Sequence, residues 1–169
     1  MSHPLLIGLF DTPAQAAGAA RGLRAAGLRS DDISIVAPTH DEEGAIAAVA
    51  DASPGSELED SRPAARVGEL TAHLLAAVAL VVPGIGPIVA DGPLAAGLGE
   101  AAGHLAGGLA RTLERAGVAR AEALALEERV KAGAVLVGAH VEEGSADTVA
   151  DVLRRSGATS VVRAMWPRP

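Results

Sequence analysis

The sequence predicts an α+β fold: two split ferredoxin-like β-α-β halves with an inserted Ala/Gly-rich helical hairpin. Three observations lead there. An apolar run, a helical pattern and a second alternating run open the chain between Leu5 and Pro38. The same plan returns between Gly133 and Met165, and about ninety residues that such a sheet does not require lie between the two halves.

LLIGLF, Leu5 to Phe10, reads as a buried strand because no charge interrupts it. Asp11 and Thr12 are N-cap candidates and Pro13 suits the first helical turn, so a helix is expected from Pro13 to Ala26, closed by Gly27. DISIVAP, Asp32 to Pro38, alternates as a second strand. In the other half, GAVLVGAHV is a strand, Ser145 is expected to cap a helix from Ala146 to Arg155 that Gly157 ends, and TSVVRAM is the last strand. The first and third of these strands are the most apolar and are expected at the centre of the sheet.

Composition narrows the function. The 169 residues suffice for one domain with a core. A net charge of -7 leaves no basic surface to neutralise phosphates, and only Phe10 and Trp166 could stack on bases, which sets nucleic acid aside. Without cysteine there is no disulfide, thiolate metal site or Cys nucleophile, and a reducing cytoplasm is the expected compartment. The opening MSHPLLIGLFDTPAQAAG has no basic n-region, and Asp11 cuts its apolar run short, so it reads as the first strand rather than a signal peptide.

The expected organisation is one domain in four parts. Residues 1–38 form the first half, and 39–62 an acidic connector with Asp41, Glu42, Glu43, Glu57, Glu59 and Asp60 and a short helix at Ala45 to Ala52. Residues 63–117 form the helical hairpin: one helix from Pro63 to Val82, a break at PGIGP, and a second helix from Pro93 to Ala116. Residues 118–169 hold a further helix, Ala119 to Lys131, and the second half.

LLIGLFDTPAQAAGAARGLRAAGLRSDDISIVAP, then VVPGIGPIVADGPLAAGLGEAAG, then a helix leading into GAVLVGAHV, resembles the bacterial general stress protein 17M-like family and related glycine-zipper proteins. The resemblance covers most of the chain in outline, and PGIGPIVADGPLAAGL is its most specific part. It implies a small, oligomeric, stress-linked protein and supplies no catalytic residues. The family carries small apolar residues along both hairpin helices, where this chain has Glu and His.

Those residues form the candidate site. GELTAHL (Gly68 to Leu74) and GEAAGHL (Gly99 to Leu105) share Gly, Glu, His and Leu at the same places. On a helix, residues four apart lie on one face, so Glu69 with His73 and Glu100 with His104 would each present a carboxylate beside an imidazole. Such groups suit Fe, Zn or Mn, and helix bundles use inward-facing pairs of this kind. Counting from a turn between Val82 and Pro93, His73 and Glu69 lie roughly 13 and 20 Å from it, and Glu100 and His104 roughly 10 and 16 Å. The pairs therefore interleave at one level. A solvated face is the competing explanation, since Leu94, Leu98, Leu105 and Leu109 make a separate stripe and Arg111 falls beside Glu100 and His104.

The functional expectation is an oligomeric, metal-binding protein with this Glu/His site, and with two ions a di-iron or similar oxidase-type centre. The alternative is a non-enzymatic stress-associated packing or membrane-associated protein. Haem on His73 or His104 is the weaker cofactor expectation. His3, His40 and His140 stand singly and read as surface or core-edge residues; no serine sits in a nucleophile elbow, and PGIGP lacks the Lys of a phosphate loop. Pro83, Gly84, Gly86 and Pro87 cut the charge-free stretch Leu70 to Ala90, which argues against a membrane span. Two hairpins across a twofold axis would instead bury their apolar faces in a four-helix bundle, so a homodimer is expected.

Overall fold

The computed structural model describes residues 2–38, 78–82, 86–94, 97–98 and 108–167. Its elements are β1 (Ser2–Phe10), α1 (Pro13–Ala25), β2 (Ile33–Pro38), β3 (Val78–Val82), β4 (Gly86–Asp91), α2 (Leu109–Arg115), α3 (Arg120–Lys131), β5 (Val135–His140), α4 (Ala146–Arg155) and β6 (Ser160–Pro167). The class is α+β: every strand pairing in the six-stranded sheet, ordered β3-β4-β2-β5-β1-β6, is antiparallel. The two apolar strands are interior, β1 between β5 and β6, β5 between β2 and β1.

Alternation along the strands separates two cores. Leu6 and Phe10 of β1, Ile33, Ile35 and Ala37 of β2, and Val135, Val137 and Ala139 of β5 pack on α1 and α4 through Ala16, Ala19, Leu23, Val149 and Leu153. Thr12 caps α1, its Oγ1 accepting from Gln15 N at 3.3 Å, with Pro13 in the first turn. Ser145 stands at the N-cap of α4 but makes no side-chain cap bond. A 3₁₀ turn, Glu143–Ser145, leads into that helix instead.

The opposite face carries Leu5, Ile7 and Leu9 of β1, Val36 of β2, Leu136 of β5, and Val162 and Ala164 of β6. These pack on Leu94, Leu98, Leu109 and Leu113, and on Ala123, Leu126 and Val130 of α3. The inserted segment is therefore no appendage, because with α3 it covers this face.

The helical hairpin expected at 63–117 is corrected over its described part. Val78–Val82 and Gly86–Asp91 are strands, paired from Val78↔Ala90 to Val82↔Gly86, and β4 adds to β2 from Ile35↔Asp91 to Pro38↔Ile88. Val81 and Val82 precede the Pro/Gly-rich sequence and Ile88 and Val89 follow it, a composition that suits strands, and the unpaired edge of β2 supplies backbone partners that a helix would have forgone. The expected helix from Pro93 to Ala116 is divided as well. Residues 93–94 and 97–98 are helical, but Gly108 is extended at φ -86°, ψ 179°, and starts α2 afresh. Over Val78–Asp91 the described residues thus hold a pair of strands where the hairpin of the expected twofold four-helix bundle was placed. The short helix expected at Ala45 to Ala52 lies outside them.

Two glycines make this arrangement feasible. Gly92, at φ +79°, turns the chain off β4 so closely over β2 that a Cβ there would lie 2.2 Å from the Ile33 carbonyl oxygen. The turn delivers Leu94, whose N–H donates to the buried Ser34 Oγ at 3.1 Å. Gly117, at φ +88°, sits against Met165, where a Cβ would lie 3.2 Å from both N and O of its backbone. Val141 N donates to Pro4 O, which directs the polar backbone of Pro4 toward β5 and leaves that of its β6 partner Met165 pointing outward. The α2–α3 turn thus covers the edge of the sheet at the point where Met165 would offer free hydrogen-bonding groups.

Candidate functional site

Glu69, His73, Glu100 and His104 all lie outside the described residues, as does His40. The level count that joined the two pairs assumed a helix running to Val82, and the strand at Val78–Val82 removes that assumption. Among the described residues no three or more His, Asp or Glu gather as metal ligands, and no helix is long and apolar enough to cross a membrane.

What the fold does bring together is a pair the sequence reading set aside as single residues. His140 is the last residue of β5 and follows Leu136 and Gly138 on the face covered by the insertion. His3 alternates with Leu5 and Ile7 on the same face of β1, and Trp166 is the Cα partner of His3 in β6. His3 Nε2 and His140 Nδ1 are 3.0 Å apart, with ring centroids at 5.2 Å and planes inclined by 52°. Trp166 meets His140 edge-on, with centroids at 5.1 Å and an interplanar angle of 90°.

Burial governs the electrostatics. His140 is only 7% exposed. The loss of solvent, and second the neighbouring His3, push its imidazolium pKa down from 6.5 to about 4, so the ring is neutral at pH 7. The 3.0 Å contact holds one proton between two nitrogens. His140 Nε2 is buried without a hydrogen-bond partner among the described residues. Two neutral arrangements share that proton: His140 Nδ1–H donating to His3 Nε2, or His3 Nε2–H donating to His140 Nδ1. Such a pair can take up and release a proton. The signal available in sequence was alternation, which places each residue on a face, but the register that joins them is decided by the pairing of β1 with β5 and β6.

A second polar feature lies between α2 and α3, an open cleft lined by Arg111, Glu114, Arg115, Arg120, Leu124 and Glu127. Its central carboxylate already has a structural task. Glu127 Oε2 accepts from Ala110 N at 2.7 Å, capping α2, and Oε1 pairs with Lys131 Nζ at 3.2 Å. The hydrogen bonds that Lys131 Nζ donates, first to Glu128 and then to Glu127, raise its pKa.

No family model matches the chain, and neither a curated protein nor a solved structure matches it.

Proposed function

We propose that the chain is a self-associating metal-binding protein whose ligands are Glu69, His73, Glu100 and His104, carried on a split ferredoxin-like frame. One observation carries the reading. The β3–β4 hairpin sets Val78 opposite Ala90, so the stretch bearing Glu69 and His73 enters the sheet at the end from which the stretch bearing Glu100 and His104 departs. His73 stands five residues before Val78 and Glu100 nine after Asp91. Five residues at up to about 3.5 Å each separate His73 from Val78, and Glu100 follows the buried Leu98 by two residues.

The frame is supported by the order β2-β5-β1-β6 within the sheet, with α1 and α4 packed on one face. Carboxylate and imidazole together suit Fe, Zn or Mn. Two ions would allow oxidation of Fe(II) by dioxygen, and one ion with two Glu and two His suits a structural Zn. A dimer, a cytoplasmic setting and a stress-linked role belong to the same reading. The cysteine-free composition supports the cytoplasm, and the PGIGPIVADGPLAAGL stretch supports the stress family.

The test is titration of untagged, metal-free protein with Fe(II), Zn(II) and Mn(II), alongside elemental analysis of the protein as purified. Integral stoichiometry per subunit or dimer is expected. His73→Ala and His104→Ala should each weaken binding at least tenfold, His40→Ala should not, and affinity should fall below about pH 6.5 as the imidazoles protonate. Three indistinguishable variants with negligible affinity would leave the paired motif to a packing or solvated role.

A further inference from the structure

In an antiparallel ladder, pairs that exchange backbone hydrogen bonds alternate with pairs that do not, so one bond fixes which way every residue's polar backbone points. Val141 N donates to Pro4 O at 3.0 Å. Ala139, Val137 and Val135 therefore turn toward β1, and Gly138 and Leu136 toward β2. There they bond Ser34 and Val36, which leaves Ile35 and Ala37 to bond Asp91 and Val89 of β4. Ala90, Ile88 and Gly86 in turn bond Val78, Leu80 and Val82. Two prolines agree with this alternation: Pro38↔Ile88 and Val81↔Pro87 both fall among the pairs that exchange no bond, so neither ladder loses an N–H. Ala79 and Val81 are left with N–H and C=O directed away from β4, at an edge of the sheet that has no partner among the described residues.

We propose that this edge is the seam of a homodimer: a second copy adds its own β3 antiparallel to the first, on a twofold axis at Leu80. The inference deepens the self-association in the proposed function and rests on that part of it alone, not on the metal. Ala79 and Val81 offer two donors and two acceptors placed evenly about Leu80. The twofold sets Ala79 opposite the partner's Val81 and Val81 opposite the partner's Ala79, and four hydrogen bonds use all the outward groups of both strands. The order Val-Ala-Leu-Val-Val suits the same axis, with Val78 opposite the partner's Val82 and Leu80 opposite the partner's Leu80.

The two edges of the sheet differ in the way this requires. At β6 the turn at Gly117 lies over Met165, and Arg163 places a charge within the strand. Val78–Val82 contains neither a charge nor a proline, two devices that keep strand edges from pairing. A charge-free strand also has nothing to repel a like copy.

The test is sedimentation of the full-length, metal-free protein across the micromolar range, together with two kinds of variant. A monomer–dimer equilibrium is expected. Val81→Pro removes two of the four seam bonds and none within the chain, so dissociation should become at least tenfold more favourable. The chain has no cysteine, so single introduced ones report the register. At the axis, paired Cα atoms lie about 4.5 Å apart, within disulfide reach, whereas two copies of position 79 lie more than about 7 Å apart. Under mild oxidation Leu80→Cys should therefore cross-link at least tenfold faster than Ala79→Cys. A monomer at every concentration, a dimer indifferent to Val81→Pro, or equal cross-linking of the two cysteine variants would each overturn the seam. So would slow amide exchange at Ala79 and Val81 in the monomer, which would assign the edge to the chain's own residues. Should Val81→Pro fail to fold, the cross-linking comparison decides. A metal-free dimer without metal affinity would support the seam and remove the metal site, whereas a dimer formed only on adding metal would do the reverse.

Discussion

The two faces of the sheet are equally dry and differently made. The α1/α4 face is assembled from helices that directly follow β1 and β5, with Leu23 and Leu153 fully buried on it. The opposite face is roofed by Leu94, Leu98, Leu109 and Leu113, all 0–1% exposed, from a segment joined to the sheet through β4. A helix next to its strand in sequence has its packing partner decided by chain length and alternation. The roof of the other face depends on a strand addition and a tight turn at Gly92.

The sharpest way to break the comparison is truncation on each side. Leu153→Ala and Leu23→Ala should each cost about 2–5 kcal/mol, and Leu113→Ala and Leu98→Ala the same if both faces are cores of one cooperative unit. Urea unfolding gives the values. Losses below about 1 kcal/mol on the insertion side alone would make that layer an independent flap.

Acid discriminates next, because among the described residues the buried imidazole of His140 lies on the insertion face. His140 titrates near 4 when folded and at 6.5 when unfolded, so between those values the unfolded chain binds a proton that the folded chain does not. Stability is therefore complete above about pH 6.5 and falls as pH drops toward 4, by roughly 3 kcal/mol in all. His140→Gln should flatten this dependence in urea titrations run at several pH values.

A smaller effect probes the fit of the roof. A Cβ at Gly138 would lie 2.9 Å from Leu94 Cδ1, the end of a side chain that can move, so Gly138→Ala should cost about 1–3 kcal/mol. Leu94→Ala in the same chain should relieve part of that cost, which a double-mutant cycle measures. The smallest expected effect separates two caps on the α1/α4 face. Thr12→Ala should lose about 1 kcal/mol of thermal stability, whereas Ser145→Ala, with no cap bond to lose, should stay within about 0.5 kcal/mol.

The terminal halves were legible because their signals are local. Thr12 before Pro13, the charge-free run of β1 and the alternation of DISIVAP each act within a few residues. The stretch Val78 to Asp91 was misread because apolar content without clear periodicity serves a helix or a strand equally. Pairing of β4 with β2, some fifty residues earlier in the chain, decided between them. Leu94, Leu98 and Leu109 were recognised as one stripe, and all three are buried, although Gly108 divides the helix expected to carry them. The Glu/His motif was visible as a repeat. The His3–His140 pair was not, because neither residue has a ligand-like neighbour in sequence.

By itself, then, the sequence determined the class of fold, the two β-α-β halves, the apolar faces of their strands and the cysteine-free, acidic chemistry of the chain. These follow from side-chain period, capping residues and composition, all set within a turn or two of chain. Only the tertiary structure decided that the insertion adds strands and helps roof the second face, that a turn at Gly117 covers the backbone of Met165, and that two solitary histidines share a proton beside Trp166. Those outcomes rest on register and on which backbone edge remains unpaired once the central strands have met. These are properties of the assembled sheet that no short window of residues carries.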